Sequence, residues 1–249
     1  MMNMPIKAKS LFDSKQSTQV CPTHGTPYVM VCGNLVCREC AADFLKKEQK
    51  KHEQQLRNDL FNKLVASAML PARHVESGFK NYIVSNAQQQ HVLSQCVEFC
   101  KNYINGNRGN IIMTGRTGTG KTHLACAITR NLLNAGRKVR YITSDALATE
   151  IASTWKRSDS DEETAVNYFA SFDLLILDEY GLHDQHETRL KLVHKVLYAR
   201  YDQNKPTILI SNWNTEQVKE NLGDRLWSRF QHDGLINLEC NWADARVAV

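Results

Sequence analysis

The stretch Asn110-Ile111-Ile112-Met113-Thr114-Gly115-Arg116-Thr117-Gly118-Thr119-Gly120-Lys121-Thr122 decides the fold. It opens on an apolar run and continues into G-x-x-x-x-G-K-T, and a helix-like run, His123 to Leu133, follows it. Strand, glycine-rich loop, Lys-Thr and helix in that order make a phosphate cradle. The glycines let main-chain N–H groups turn inward on a phosphate with no Cβ in the way. The helix that begins near Lys121 adds its positive end. Lys121 is expected to reach the β- and γ-phosphates, and the Thr122 hydroxyl to bind Mg²⁺. Gly115, Arg116, Thr117, Gly118, Thr119, Gly120, Lys121, Thr122 and His123 together form the expected nucleotide-binding stretch.

Downstream, Phe172-Asp173-Leu174-Leu175-Ile176-Leu177-Asp178-Glu179 reads as a strand buried on both faces that ends in two acids. Acids at the carboxyl end of a parallel strand face a nucleotide at the sheet edge. Asp178 suits a hold on Mg²⁺, and Glu179 suits polarising the water that attacks the γ-phosphate. Thr207 to Ser211 is a further strand, and Asn212 at its end could orient that water or touch the γ-phosphate. Arg225 and Arg229 lie four apart and share one helical face; they are either surface pairs or an arginine finger for a neighbouring subunit. The helices expected between these strands span Asn86–Ile104, the segment from Ser144-Asp145 to about Trp155, and Gln185–Tyr201. Arg157 to Glu163 reads as a surface linker, and Leu235-Ile236-Asn237-Leu238 as the last strand.

The amino-terminal part is of another kind. Residues 1–19 are polar and aperiodic, which predicts a flexible arm. Cys21-Pro22-Thr23-His24 and Cys37-Arg38-Glu39-Cys40 then flank a short hairpin, with strands Tyr28–Cys32 and Leu35-Val36 and a Gly33-Asn34 turn. Cys21, His24, Cys37 and Cys40 make a closed tetrahedral Zn²⁺ set, so the site is expected to be structural. Cys32 reads as a buried strand thiol. Ala41 to Leu64 is helical and highly charged, with a broken stripe of Phe44, Leu45, Leu56, Leu60, Phe61 and Leu64. Pro71 marks the boundary, giving a zinc-binding module with its charged helix over 1–70 and an ATPase domain over 71–249.

The bulk properties fit. A chain of 249 residues accommodates one α/β domain and a small module. A net charge of +5 permits a nucleic-acid partner without requiring one. No apolar stretch approaches membrane-spanning length, and Met1 to Ser10 holds no signal core, so a cytoplasmic place is expected. Eight cysteines, of which three join the histidine cluster, read as metal ligands plus buried thiols rather than disulfides.

This ordering resembles the AAA+ ATPases and, more narrowly, the DnaC-type helicase loaders and the IstB-like transposition helpers. The residues that carry it are Gly115 to Ala125, Phe79-Lys80-Asn81-Tyr82, the Leu-Leu-Ile-Leu-Asp-Glu run, Ser211-Asn212 and Gly223-Asp224-Arg225, over roughly residues 75 to 249. The resemblance implies a P-loop NTPase with a five-stranded parallel sheet flanked by helices, Asn212 as sensor 1, and Arg229, then Arg225, as the arginine finger. It implies an ATP-dependent protein of DNA replication that places the hexameric replicative helicase on single-stranded DNA, with the amino-terminal module holding the helicase and the chain acting as a homo-oligomer. The Cys-x-x-His and Cys-x-x-Cys front end resembles phage or prophage members. About twenty residues follow Arg229, too few for the helical lid usual in AAA+ proteins; loaders of this type lack it, and Arg246 is left without a role. A transposase helper is the alternative reading. A small-molecule phosphotransferase is disfavoured by adjacent Asp178-Glu179 with Asn212 and the paired arginines. A vestigial nucleotide site is disfavoured by intact Lys121, Thr122, Asp178 and Glu179. Lys156, Arg157, Lys191 and Lys195 are the basic candidates for a DNA path.

Overall fold

The computed structural model describes residues 16–156, 161–182 and 187–244. The chain divides into two compact units, Met1–Asp59 and Leu60–Val249.

In the first unit, β1 (Gln16–Val20), β2 (Pro27–Val31) and β3 (Asn34–Val36) form an antiparallel sheet in that order. The arm expected over residues 1–19 is therefore corrected at its end. Gln16 stands opposite Val29 and Val20 opposite Pro27, and main-chain pairing of this kind needs no apolar side chains. Residues 1–15 lie outside the described part. The β2–β3 turn sits one residue earlier than expected, at Cys32 and Gly33, with φ of 47° and 81°. Positive φ at both central residues matches the twist of a two-residue hairpin. Cys32 is consequently exposed at a turn rather than buried in a strand. Helix α1 (Arg38–Ala68) is longer at both ends than expected. Its Phe44, Leu45 and Leu56 are exposed. The division between the units falls inside α1, not at Pro71, because Leu64 and Ala68 belong to the core of the second unit.

That second unit holds α2 (Ala87–Ile104), β4 (Asn110–Thr114), α3 (Lys121–Asn134), β5 (Val139–Thr143), α4 (Ser144–Ser153), α5 (Glu162–Ser171), β6 (Leu174–Asp178), α6 (Glu187–Asp202), β7 (Thr207–Ile210), α7 (Thr215–His232) and β8 (Leu235–Glu239). The five strands are parallel, in the order β5-β6-β7-β4-β8. Alternate residues feed opposite faces. Ile111, Met113, Leu174 and Ile176 enter one core with α2 and α3, whereas Ile112, Leu175 and Leu177 enter the other with α4 to α7. Two covered faces explain why these strands are continuously apolar.

Helix α5 is a departure from the linker expected over Arg157 to Glu163. Asp161 accepts the Thr164 N–H at 2.6 Å and caps a helix that Glu162 and Glu163 begin, where acids meet the positive helix end. Residues 157–160 of that segment, and Gln185 at the expected start of α6, lie outside the described part. Thr143 caps α4: its hydroxyl accepts the Ala146 N–H at 3.2 Å. The chain of α7 breaks at Gly223, whose φ of 74° and ψ of 159° suit glycine alone. Arg200, fully buried, donates to the carbonyls of Phe169, Ala170, Phe172 and Pro206 and to the Thr207 hydroxyl. It thereby ties the end of α5 to the start of β7.

Candidate functional site

β4 pairs with both β7 and β8 although they are far on in the chain. Its carboxyl end thus opens at the point where strand order turns, the place where such sheets bind ligands. The loop from Gly115 to Gly120 leaves β4 there, and α3 begins at Lys121. Three of its glycines are left-handed. All three lack room for a side chain: an added Cβ would come 2.3 Å from the Cys240 carbonyl oxygen at Gly115, 1.8 Å from the Asp244 carboxylate at Gly118 and 2.7 Å from the Tyr82 ring at Gly120.

The loop is pinned from outside. The Thr119 carbonyl accepts hydrogen bonds from the indole N–H of Trp242 at 2.9 Å and the Tyr82 hydroxyl at 3.3 Å. The Thr119 hydroxyl donates to the Arg116 carbonyl at 2.9 Å. Fixing a carbonyl outward orients the neighbouring N–H groups inward, as a phosphate cradle needs.

Four expected residues meet inside the loop. Lys121 is buried, and its Nζ donates to the Gly115 and Arg116 carbonyls at 2.6 and 2.7 Å and to Asn212 Oδ1 at 3.2 Å. The Thr122 hydroxyl donates to Asp178 Oδ2 at 2.9 Å. The Tyr141 hydroxyl donates to the same oxygen at 2.7 Å, and Asp178 Oδ1 accepts the Glu179 N–H at 2.7 Å. Asp178, buried on the tip of β6, is therefore held in place by three donors. Burial beside this carboxylate pushes the Tyr141 hydroxyl up, so it stays a donor. Glu179 is exposed at the rim. A cleft of about 510 Å³ lies beside the loop, lined by Gly115, Arg116, Asn212, Trp213, Glu216 and Glu239 among others. His123 faces the other way: its ring nitrogen is 3.0 Å from the Gly78 carbonyl, and its ring packs on Tyr82.

Arg225 and Arg229 are not part of this group. Arg225 is exposed. Arg229 lies over Tyr198 and Tyr201, at 4.8 and 4.6 Å from the ring centres, with Asp202 at 3.5 Å. It lines a small cavity with Asn110, Lys205 and Thr207. Asn110 and Thr207 begin β4 and β7, so Arg229 sits at the opposite end of the sheet from the phosphate loop. Among the basic candidates for DNA, Lys191 pairs with Glu187 and Lys195 with Glu162; the Lys156 side chain and Arg157 lie outside the described part, as does Arg246, to which no role is assigned.

The first unit carries a second centre. The ligand atoms of Cys21, His24, Cys37 and Cys40 all lie within 4.8 Å of one another. His24 Nδ1 is 3.8, 3.7 and 3.3 Å from the sulfurs of Cys21, Cys37 and Cys40, and the Cys21 and Cys40 sulfurs are 3.6 Å apart. A tetrahedral Zn²⁺ with these donors would set them about 3.5–3.8 Å apart, so the set fits such an ion. Hydrogen bonding from the His24 main chain draws the Cys21 thiol down to about 6, while the bond to Cys21 pushes Cys40 up to about 12. A cation in their midst would let all three ionise. Behind His24, its Nε2 stands 3.2 Å from Asp43 Oδ2. The remaining cysteines differ: burial pushes Cys100, Cys126 and Cys240 up to about 12 and Cys96 higher still, which leaves them inert thiols.

Sequence reasoning missed Tyr141, Trp242 and Trp213. Tyr141 sits in a strand whose pattern gives no sign of a polar task. Trp242 follows the last strand, where only the fold shows it reaching back to Thr119.

Residues 36–237 match the family of IstB-like ATP binding proteins. The replicative helicase loader DnaC of Escherichia coli (strain K12) is 30% identical over 176 residues, which span 71% of this chain and 71% of that protein. A crystal structure of the DnaC helicase loader overlays with a TM-score of 0.61 at 19% identity, covering 69% of this chain and 100% of that one. The replication initiator DnaA bound to AMPPCP and single-stranded DNA overlays with a TM-score of 0.58 at 25% identity, covering 70% of this chain but 52% of that one.

Proposed function

The chain belongs to the IstB-like ATP-binding family and is a P-loop ATPase of AAA+ type, and on that premise we propose that it uses ATP to load a hexameric replicative helicase onto single-stranded DNA. The observation that carries this reading is the meeting of Lys121, Thr122, Asp178 and Asn212 at one strand edge, in a chain similar along most of its length to a helicase loader. Single-stranded DNA as the second partner is supported by the DnaA neighbour, which was solved with it.

The residues divide the work as follows. Main-chain N–H groups of the Gly115–Thr122 loop and the start of α3 bind the phosphates. Lys121 exchanges its carbonyl partners for phosphate oxygens, and its bond to Asn212 brings that amide to the terminal phosphate. Thr122 and Asp178, hydrogen-bonded to each other, would hold Mg²⁺, which would neutralise phosphate charge there. Glu179 accepts the proton of the attacking water. Arg229 cannot serve its own chain's site from the far end of the sheet, so it serves a neighbouring copy, with Arg225 as the second choice; this makes the working form a homo-oligomer. In the first unit, Cys21, His24, Cys37 and Cys40 hold Zn²⁺ with no open position, so the ion is structural. That module, with exposed Phe44, Leu45 and Leu56 on α1, is the helicase-facing part. No helix among the described residues is long and apolar enough to cross a membrane, and four unpaired core thiols suit a reducing cytoplasm.

Co-purification tests the assignment. The chain should retain a replicative helicase, with retention altered by ATP, and should not retain a transposase. Retention of a transposase alone would transfer the reading to transposition.

A further inference from the structure

Glu179 stands on an unusual piece of main chain. Its φ is 57°, in the left-handed region that non-glycine residues rarely occupy. The turn after it is closed by the Leu182 N–H on the Glu179 carbonyl at 3.2 Å, with Gly181 at φ 86°. Such a conformation persists only where the surroundings impose it.

The surroundings here come from the end of β7. The Tyr180 N–H donates to the Ile210 carbonyl at 2.9 Å, and the Tyr180 carbonyl accepts the Ser211 hydroxyl at 2.7 Å. The indole of Trp213 lies on Gly181, where a Cβ would stand 2.5 Å from two of its ring carbons. The buried Tyr180 ring meets the same indole edge-on, with centres 6.5 Å apart. The Trp213 N–H rests on Ser211 Oγ at 3.2 Å, and its carbonyl accepts the Gly115 N–H at 3.2 Å. One residue therefore touches the glutamate turn with its side chain and the first residue of the phosphate loop with its main chain.

We propose that Trp213 is a positioning residue for Glu179: its indole, seated on Gly181, keeps the left-handed turn that presents the carboxylate to the nucleotide. This inference rests on the reading of Glu179 as the acid that accepts the water's proton. Truncating the ring frees the turn to relax, which withdraws the carboxylate. The Gly115 contact is a main-chain one and survives the truncation, so nucleotide affinity is expected to change far less than turnover, although the ring also lines the cleft.

The test is a double-mutant cycle on the zinc-loaded full chain, reading Mg–ATP affinity and turnover separately. Trp213→Ala is expected to keep affinity within about threefold while turnover falls about 10- to 100-fold, the range of a displaced catalytic group. Trp213→Phe, which keeps an aromatic ring over Gly181, is expected to recover most of that loss. Adding Trp213→Ala to Glu179→Gln should cost nothing further, because the group being positioned is already gone. Additive losses, parental turnover in Trp213→Ala, or a fall in affinity matching the fall in turnover would overturn the proposal. If the Ala chain does not fold, Trp213→Leu takes its place in the same cycle. Should Glu179→Gln alone leave hydrolysis intact, the reading of Glu179 fails, and the cycle reports that separately.

Discussion

Lys121 Nζ and Asn212 Oδ1 lie 3.2 Å apart, joining the phosphate loop on β4 to the tip of β7. The same ammonium donates to two loop carbonyls, so the loop backbone is folded around the Lys121 charge. On the proposed reading, Asn212 reports the terminal phosphate through this bond to Lys121. Asn212→Ala is expected to lower turnover about 10-fold or more, the worth of one hydrogen bond to a charged group, while ATP affinity changes far less. Steady-state kinetics with a separate binding measurement checks this. An equal loss in both would assign Asn212 to binding.

Position separates Arg229 from the site of its own chain. Its guanidinium sits near the amino ends of β4 and β7, held by an exposed pair to Asp202 and two tyrosines. An exposed pair of this kind is weak enough to give up for a phosphate. Arg229→Ala chains and Lys121→Ala chains are each expected to lose hydrolysis, by about 10³-fold or more for the finger. Mixing them should restore part of it, because an intact site then meets an intact arginine. Full activity of Arg229→Ala alone would move the role to Arg225 or remove it.

The Cys21, His24, Cys37 and Cys40 cluster has a carboxylate behind its histidine. His24 faces the three sulfurs through Nδ1, and its other nitrogen faces Asp43. A carboxylate behind a metal-bound imidazole fixes its tautomer and raises its basicity. Asp43→Asn should weaken Zn²⁺ binding about 10- to 100-fold, read by competition with a chromogenic chelator. Removing the metal should speed amide exchange across residues 21–40 and leave β4 to β8 protected. Unchanged exchange after chelation would remove the zinc assignment.

Asp173 is one carboxylate that contributes to stability against acid. Burial acts to raise its carboxyl, but the Lys138 N–H at 2.9 Å and Lys205 Nζ at 2.9 Å outweigh that and hold it below its ordinary 3.8. A depressed folded value stabilises the fold above the unfolded value, and that contribution disappears as pH falls through the folded one. Asp173→Asn should therefore be less stable than the parent at pH 7, with the gap closing at a pH below the folded value, which itself lies under 3.8. Urea unfolding at both pH values measures it; a gap that persists at low pH would mean the loss is one of packing.

Much of this arrangement is legible in the sequence because the chemistry is local there. Gly115 to Thr122 is contiguous, and the ligand pairs Cys21/His24 and Cys37/Cys40 carry their spacing with them. Leu174 to Leu177 announces a doubly covered strand. What stays hidden depends on long-range pairing. Gln16 to Val20 is polar and gains its strand only from β2. Cys32 looks like a strand residue until the hairpin register is known. Asp161-Glu162-Glu163 reads as a solvated linker, although acids are also what a helix start selects. Arg200 looks like an exposed helix residue, and its burial against four carbonyls follows from where α5 and β7 come to lie. Trp213 and Trp242 act on loops distant in the chain, and no spacing rule connects them.

The most direct measurement is isothermal calorimetry of the zinc-loaded chain with Mg–ATP, run beside Lys121→Ala. The account predicts one nucleotide per parental chain and at least about 10-fold weaker binding in Lys121→Ala, whose charged contacts to the phosphates are lost. Equal binding by both chains, or no binding by a well-folded parent, would contradict it.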